Sequence, residues 1–164
     1  INTPSMINNK AMPSQEIILA ITRQESEFDP KANSYAGAKG MMQLMTYTAK
    51  LVAKQMKVPY RKSKLTSDPE YNISLGTYYF DSLLNEYKEV YPFAIAAYNA
   101  GPKRVRYWRK INGDPSKKAI DYINWIELIR FEETRNYVQR VLENINVYKY
   151  MLSKEPVKID SYFN

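Results

Sequence analysis

The stretch ITRQESEFDP, residues 21–30, places Glu25 near the predicted end of a helix. Ile18 and Ile21 precede it at helical spacing, so we expect these three side chains to share one core-facing stripe. Burial disfavours a charged carboxyl group, and so does the negative end of a helix. We therefore expect a raised pKa for Glu25, whose protonated form can donate a proton to a leaving glycosidic oxygen. A structural ion pair with a cation such as Arg23 is the alternative.

The chain contains neither histidine nor cysteine. This excludes Ser-His-Asp and Cys-His catalysis, disulfides, and the usual zinc sites. Acid–base chemistry near neutral pH must then come from a shifted carboxylate, lysine or tyrosine. No metal cluster or phosphate-binding loop is visible either, so we expect no cofactor and no metal.

A conventional glycosidase needs a second carboxylate across the scissile bond. Glu127 is the best distant candidate, because the apolar residues of NWIELIRF surround it. Anchoring a helix N-terminus or an arginine is the alternative role for Glu127, and the one we favour from the residues alone. A site with one carboxylate can still cleave sugars if the substrate supplies the nucleophile.

Other segments place polar or flexible side chains where a cleft could form. Tyr98 and Asn99 lie at the end of an apolar helix, where they either face a cleft or simply cap. Gln43 lies among methionines, and Met42 is either a flexible groove wall or core packing. The basic and aromatic residues 103–110 could bind nucleic acid or wall-peptide carboxylates, or form a solvated helix face.

Helical periodicity recurs along the chain and strand-like alternation is scarce. We predict an all-α domain of about six to eight helices, with residues 119–131 left ambiguous. The helices are predicted at about 14–27, 41–56, 69–87, 92–100, 103–111 and 132–152. Ser14 and Asp68 are the predicted N-caps of the first and third.

Two helices have predicted buried stripes. Gly76 lies on the stripe of the third helix, which suggests close approach of another backbone. The stripe of the last helix consists of Val138, Val141, Ile145, Tyr148 and Leu152.

Length and composition predict one globular domain. The chain has 164 residues, a net charge of +7 and 15 tyrosines, which suit sugar-binding grooves as well as cores. A basic surface attracts polyanions. No apolar run reaches the roughly 20 residues of a transmembrane helix. The N-terminus does not resemble a signal peptide, and a start at Ile1 suggests a processed or excised piece.

Four blocks resemble, in order, the soluble lytic transglycosylase (SLT) domain. They are RQESEFDPKANSYAGAKGMMQLM, DPEYNISLGTYYF, AAYNAGPKRV and ELIRFEETRNYV. This resemblance implies a compact, helical, lysozyme-like domain with a glycan-binding groove. We expect the catalytic domain at 14–152, a lead-in at 1–13, and an extended or loose tail at 153–164.

The resemblance also implies the reaction. Members cut the β-1,4 bond between N-acetylmuramic acid and N-acetylglucosamine in peptidoglycan, and leave a 1,6-anhydromuramoyl end. Glu25 matches the single acid and base of the family. The positions that match glycan-binding residues are Ser26, Met42, Gln43, Tyr98, Asn99, Glu127 and Tyr137.

Peptidoglycan strands are thus the expected partner, and the bacterial periplasm or cell envelope the expected location. The alternatives are a goose-type lysozyme-like hydrolase and a non-catalytic glycan-binding module. Nucleic-acid binding is suggested by charge alone, and we expect only weak, non-specific affinity of that kind.

Overall fold

The computed structural model describes residues 1–154 and 162 of the chain. Regular structure in this part comprises one short hairpin, eight α-helices and a 3₁₀ turn at Pro115–Lys117. The strands are β1 (Met6–Ile7) and β2 (Lys10–Ala11). The helices are α1 (Gln15–Ser26), α2 (Thr46–Met56), α3 (Lys64–Ser67), α4 (Pro69–Glu86), α5 (Tyr91–Ala100), α6 (Pro102–Ile111), α7 (Tyr122–Glu127) and α8 (Glu132–Ser153). The predicted all-α class is confirmed.

Two compact units divide the chain, Ile1–Ser82 and Leu83–Asn164, and the boundary falls within α4. The first unit contains the hairpin, α1 to α3 and most of α4, and its buried residues include Ile18, Ile21 and Phe80. The second contains the remaining helices.

The predicted lead-in is an ordered hairpin rather than an unstructured segment. Asn8 and Asn9 form its two-residue turn, both with positive φ, the conformation that a type I′ turn requires. Lys10 Nζ lies 2.6 Å from Asp81 Oδ2 on α4. Asn8 Nδ2 also donates to the Met56 carbonyl at 3.0 Å, so two side chains attach the hairpin to the first unit.

The start predicted for the second helix is wrong. The prediction began at Met41, whereas α2 begins at Thr46. Residues 40–44 form a turn in which Leu44 N donates to Lys39 O and Gln43 has φ 50°. Hydrogen bonds from outside this segment hold the turn, and apolar periodicity does not reveal them.

Helix α4 begins as predicted, because the Asp68 carboxylate accepts a hydrogen bond from Tyr71 N at 3.1 Å. The backbone approach predicted at Gly76 is wrong. A Cβ at Gly76 would lie 2.8 Å from the Cβ of Met42, so the neighbour that requires glycine is a side chain.

The second unit is built on aromatic packing. Phe93 of α5 contacts Trp125 of α7 edge to face, with ring centroids 4.9 Å apart. Trp108 of α6 contacts Phe131, with centroids 5.5 Å apart. The segment left ambiguous by the sequence therefore contains a short helix, α7, whose Trp125 is fully buried.

Helix α8 follows the predicted stripe at Val138, Val141 and Ile145, each fully buried. Tyr148, which is half-buried, and Leu152, which is 51% exposed, depart from the prediction. Most of the predicted tail lies outside the described residues, but Tyr162 is buried and contacts Tyr91 edge to face at 5.3 Å. Each helix of the described chain is too short or too polar to cross a membrane.

Candidate functional site

Glu25 lies in the last turn of α1 and is half-buried. The helix ends abruptly, because Glu27 and Phe28 both adopt left-handed φ values of 52° and 68°. Glu27 N donates to Arg23 O at 3.0 Å and thereby closes the last turn. Glu27 itself is exposed, so Glu25 and Glu27 differ in their access to water.

Ser26 attaches this helix end to the following turn. Its hydroxyl donates to the Met41 carbonyl at 2.7 Å. Since the hydroxyl proton is used there, only the oxygen lone pairs of this half-buried side chain could meet a ligand. The geometry supports a positioning role for Ser26 beside Glu25.

Gln43 closes the turn from inside. Its Nε2 donates to Ala32 O and to Gly40 O, each at 3.0 Å, which uses both amide protons. No described residue donates to its Oε1. Half-buried Gln43 therefore presents an acceptor held by two internal bonds, suited to an N–H or O–H group of a ligand.

Met42 does not line a surface, contrary to the expectation of a groove wall. It is fully buried against Gly76 of α4, so a glycan cannot contact it in this structure. Its backbone N–H donates to Asn72 Oδ1 at 2.8 Å. Core packing, the other role considered for Met42 from the sequence, is the one found here.

Asn72 is the residue that the sequence did not single out. It is fully buried, and its Nδ2 donates to Lys39 O at 2.9 Å and to Leu65 O at 3.0 Å. With the bond from Met42 N, one amide connects the turn to α3 and α4. A lone asparagine inside a helix was the available signal, because such a residue is an unfavourable choice without a specific bond.

In the second unit, Tyr98 and Asn99 occupy the last turn of α5 and are half-buried. Thr134 Oγ1 donates to Asn99 Oδ1 at 2.7 Å, which joins the end of α5 to the first turn of α8. Thr134 is only 2% exposed. The bond orients the amide of Asn99, and Thr134 is a second positioning residue that the sequence did not reveal.

Glu127 and Tyr137 differ sharply in exposure. Glu127 ends α7, is exposed, and accepts a hydrogen bond from Gln139 Nε2 at 2.7 Å. Tyr137 of α8 is only 4% exposed, so direct contact with a ligand would be confined to a small part of its surface. The partner of Glu127 is thus an amide, rather than the helix N-terminus or arginine considered from the sequence.

Asp114 organises the loop before α7. Although burial alone would raise the pKa of Asp114, hydrogen bonds from Ser116 and Arg109, and the charge of Arg109, hold it below its usual value. Arg109 Nε donates to Asp114 Oδ2 at 3.0 Å. Its guanidinium carbon also lies 4.5 Å from the centre of the Phe93 ring. In the described part of the chain, no group of three or more acidic side chains could hold a metal ion.

This chain is similar to known proteins along most of its length. Residues 3–121 match the family model described as the transglycosylase SLT domain. The soluble lytic murein transglycosylase of Escherichia coli K12 is 39% identical over 150 residues, which cover 91% of this chain and 22% of that protein. Its counterpart in Salmonella typhimurium is 41% identical, and the match covers 90% of this chain and 23% of that protein.

Solved structures show the same fold. One is an inactive glutamate-to-glutamine mutant of the lytic transglycosylase Slt from Pseudomonas aeruginosa, with a TM-score of 0.81 and 39% identity. The match covers 89% of this chain and 23% of the Pseudomonas aeruginosa chain. The predicted lysozyme-like helical fold is confirmed. The chain spans less than a quarter of the length of these relatives. By its sequence and its fold, it belongs to the transglycosylase SLT domain family.

Proposed function

We propose that this domain is a lytic transglycosylase that cleaves peptidoglycan glycan strands in the bacterial envelope, with residues 14–152 as its catalytic part. The observation that carries the proposal is the position of Glu25. It is a half-buried carboxyl group in the last turn of α1, beside a serine that attaches this helix end to the next turn. Relatives named soluble lytic murein transglycosylases support the reaction class.

In the proposed reaction, protonated Glu25 donates its proton to the glycosidic oxygen between N-acetylmuramic acid and N-acetylglucosamine. The bond from C1 to that oxygen then breaks, and the N-acetyl carbonyl oxygen of the muramoyl residue bonds to C1 as an oxazolinium. Ionised Glu25 next takes the proton of the C6 hydroxyl. O6 attacks C1 and displaces the N-acetyl oxygen, which gives the 1,6-anhydro ring without consuming water.

One carboxyl group suffices in this scheme, because the substrate supplies both nucleophiles. That agrees with the absence of histidine and cysteine from the chain. It also agrees with the relative from Pseudomonas aeruginosa, whose structure is that of an inactive mutant with glutamate replaced by glutamine. We assign Glu127, exposed and bonded to Gln139, no part in the proton transfers.

We propose substrate contacts at positions that match glycan-binding residues of the family. Gln43 would accept a hydrogen bond at Oε1, and Ser26 would hold α1 in place. Tyr98 and Asn99 would present a ring and an amide to the glycan, with Asn99 oriented by Thr134. The buried Tyr137 would support this region through packing.

The test is digestion of purified sacculi followed by mass spectrometry of the released muropeptides. We expect anhydromuramoyl ends from the wild type and none from Glu25→Gln. Glu27→Gln is the matched control, because Glu27 lies two positions on in the same segment but is exposed. It should retain turnover within about twofold, as surface substitutions usually do.

The outcomes separate the remaining alternatives. Products one water heavier, with reducing ends, would show a goose-type hydrolase and overturn the transglycosylase proposal. Sacculus binding without any released product would show a glycan-binding module. Undiminished turnover in Glu25→Gln would remove Glu25 from the acid–base role.

A further inference from the structure

A concavity on the outer face of α2 lies apart from Glu25 in sequence and has no role in the proposed reaction. Its volume is about 470 Å³, within the rough range of 300–1,000 Å³ for ligand clefts. The residues that line it are Tyr47, Lys50, Leu51, Lys54, Val58 and Tyr60. We call it the α2 cleft.

Helix geometry brings four of these residues together. Lys50 and Leu51 lie three and four positions after Tyr47, and Lys54 lies three positions after Leu51, so the four residues form one stripe along the helix. Tyr47 is 79% exposed and Leu51 45% exposed. The opposite face, with Ala49, Val52 and Ala53, is buried. The exposed stripe is therefore not needed for the core of the first unit.

Hydrogen bonds hold the segment that follows α2 and carries Val58 and Tyr60. Tyr71 donates its hydroxyl proton to Pro59 O at 2.9 Å and accepts from Arg61 N at 3.1 Å. Val58 N donates to Ala53 O at 3.0 Å and fixes the chain as it leaves α2. Because these bonds secure the backbone on both sides of Tyr60, this part of the lining is preorganised for a ligand.

The charge of the lining has one sign. Two of the lining residues that the structure describes are lysines, and none of those described is acidic. No described carboxylate lies within ion-pair distance of Lys50 or Lys54, whereas the neighbouring Lys64 is 3.8 Å from Asp68. The cleft thus combines two ammonium groups that have no ion-pair partner among the described residues, two tyrosine rings, and the apolar side chains of Leu51 and Val58.

We propose that the α2 cleft binds a muramoyl-peptide unit of peptidoglycan, with a sugar face against Tyr47 and stem-peptide carboxylates at Lys50 and Lys54. Tyrosine rings cover apolar sugar faces while their hydroxyls remain available for hydrogen bonds. A muramoyl residue carries its acidic peptide on the ring, so it supplies both features within a short distance. A lining that combines tyrosine rings with two lysines suits such a unit, which carries both a sugar ring and carboxylates.

The identity of the ligand rests on the proposed function, but the cleft would act outside the reaction. It would hold a strand or a neighbouring strand while Glu25 works elsewhere in the first unit. Loss of the cleft should therefore weaken attachment to sacculi and leave the chemistry on short fragments unchanged.

Binding is measured in a Glu25→Gln background so that the ligand is not consumed. The probe is the disaccharide-peptide released from sacculi, and the readout is the methyl NMR signals of Leu51 and Val58, which report the cleft itself. The matched ligand is the same muropeptide with amidated stem carboxylates. We expect saturable shifts at both methyl groups and weaker binding of the amidated form.

The test variant is Lys50→Gln with Lys54→Gln, and the control is Lys62→Gln with Lys117→Gln. Both pairs remove two positive charges from exposed positions, and glutamine keeps a helix propensity close to that of lysine. We expect the cleft pair to weaken binding about tenfold, from two exposed ion pairs, and the control pair less than twofold. Tyr47→Ala should weaken binding about fivefold through loss of the ring contact.

Equal losses for the two lysine pairs, or equal affinity for the amidated muropeptide, would overturn the proposal. So would tighter binding of a single-stranded oligonucleotide at the same methyl signals. If the wild type cleaves sacculi but the cleft variants bind normally, only this inference fails. If the wild type does not cleave and the cleft still binds, only the proposed reaction fails.

Discussion

Thr134 shows how a single hydroxyl supports a proposed substrate contact. It is almost fully buried and donates to Asn99 Oδ1 at 2.7 Å. In a variant that lacks this hydroxyl, Asn99 Oδ1 loses its hydrogen-bond donor, and the side-chain amide can rotate. The effect on turnover follows from the proposed function, whereas the effect on stability does not.

We expect Thr134→Val, which keeps the shape but loses the hydroxyl, to lower the free energy of unfolding by roughly 1–2 kcal/mol. Turnover of sacculi should fall about tenfold, chiefly in kcat/KM. Thr134→Ser, which retains the hydroxyl, is the control and should keep most of the turnover. Equal turnover in the valine and serine variants would exclude an orienting role for Thr134.

Asp114 gives a pH dependence whose sign can be worked out. Its pKa in the folded chain lies below the ordinary value of 3.8. The bonds to Arg109 and Ser116 therefore stabilise the fold fully above that ordinary value. This contribution is lost as the pH falls through the lowered value, because the protonated carboxyl no longer pairs with the guanidinium.

We expect Asp114→Asn to lower the free energy of unfolding by roughly 1–2 kcal/mol at pH 7, since the charged acceptor of Arg109 is lost. Urea titrations at falling pH should show the difference from wild type shrinking below pH 3.8, the ordinary value. Glu86→Gln, at an exposed position of α4, controls for a change of net charge. A difference that stays constant into acid would contradict the assignment.

At the scale of elements, the turn before α2 depends on a glycine that no other residue can replace. Gly40 has φ +78°, and a Cβ there would overlap Leu65 O and the Asn72 side-chain amide. Gly37 also has a positive φ, +93°, but nothing lies within 4 Å of where its Cβ would be. A substitution at Gly37 therefore introduces backbone strain alone, whereas one at Gly40 introduces both backbone strain and steric overlap.

We predict that Gly37→Ala costs about 1 kcal/mol of stability, from backbone strain alone. Gly40→Ala should cost roughly 3 kcal/mol or more, because Leu65 and Asn72 must also move. Chemical denaturation of the two variants measures the difference. Similar losses of stability in the two variants would show that the Asn72 side chain can move aside at little cost in free energy.

Elements with local signals were predicted well from the sequence. The start of α4 at Pro69, after the N-cap Asp68, follows from capping and proline rules. The starts of α1 at Gln15 and of α8 at Glu132 also match the prediction, without a side-chain cap at Ser14 or Phe131. The turn at 40–44 was not predictable in this way, because Asn72 holds it from about 30 residues away. The spacing of the methionines in this segment is typical of a helix, so the sequence predicted a helix where the structure has a turn.

The candidate site was predictable to a similar extent. The half-burial of Glu25 follows from its stripe with Ile18 and Ile21. The full burial of Met42 does not, because it depends on Gly76 of a different helix. The positioning roles of Asn72 and Thr134 were also hidden, since both act through bonds to residues remote in sequence.

For the whole molecule, the net charge of +7 predicts how attachment to sacculi responds to salt. Exposed charges act over about 10 Å at 0.1 M ionic strength and over about 3 Å at 1 M. Sacculi carry stem-peptide carboxylates, so we expect their affinity for the Glu25→Gln variant to fall several-fold between about 0.05 and 0.5 M sodium chloride.

A pelleting assay at stepped salt concentrations measures this response. Chitin, an uncharged polymer of N-acetylglucosamine, is the control surface and should show little dependence on salt. Salt-independent attachment to sacculi would contradict a role for the basic surface in recruitment.

The placement of the two tryptophans has a practical consequence. Trp108 and Trp125 are the only ones in the chain, and both are buried after residue 83. Intrinsic indole emission is therefore an optical probe located in the second unit. A denaturation curve followed by fluorescence and another followed by circular dichroism would coincide only if both units melt as one.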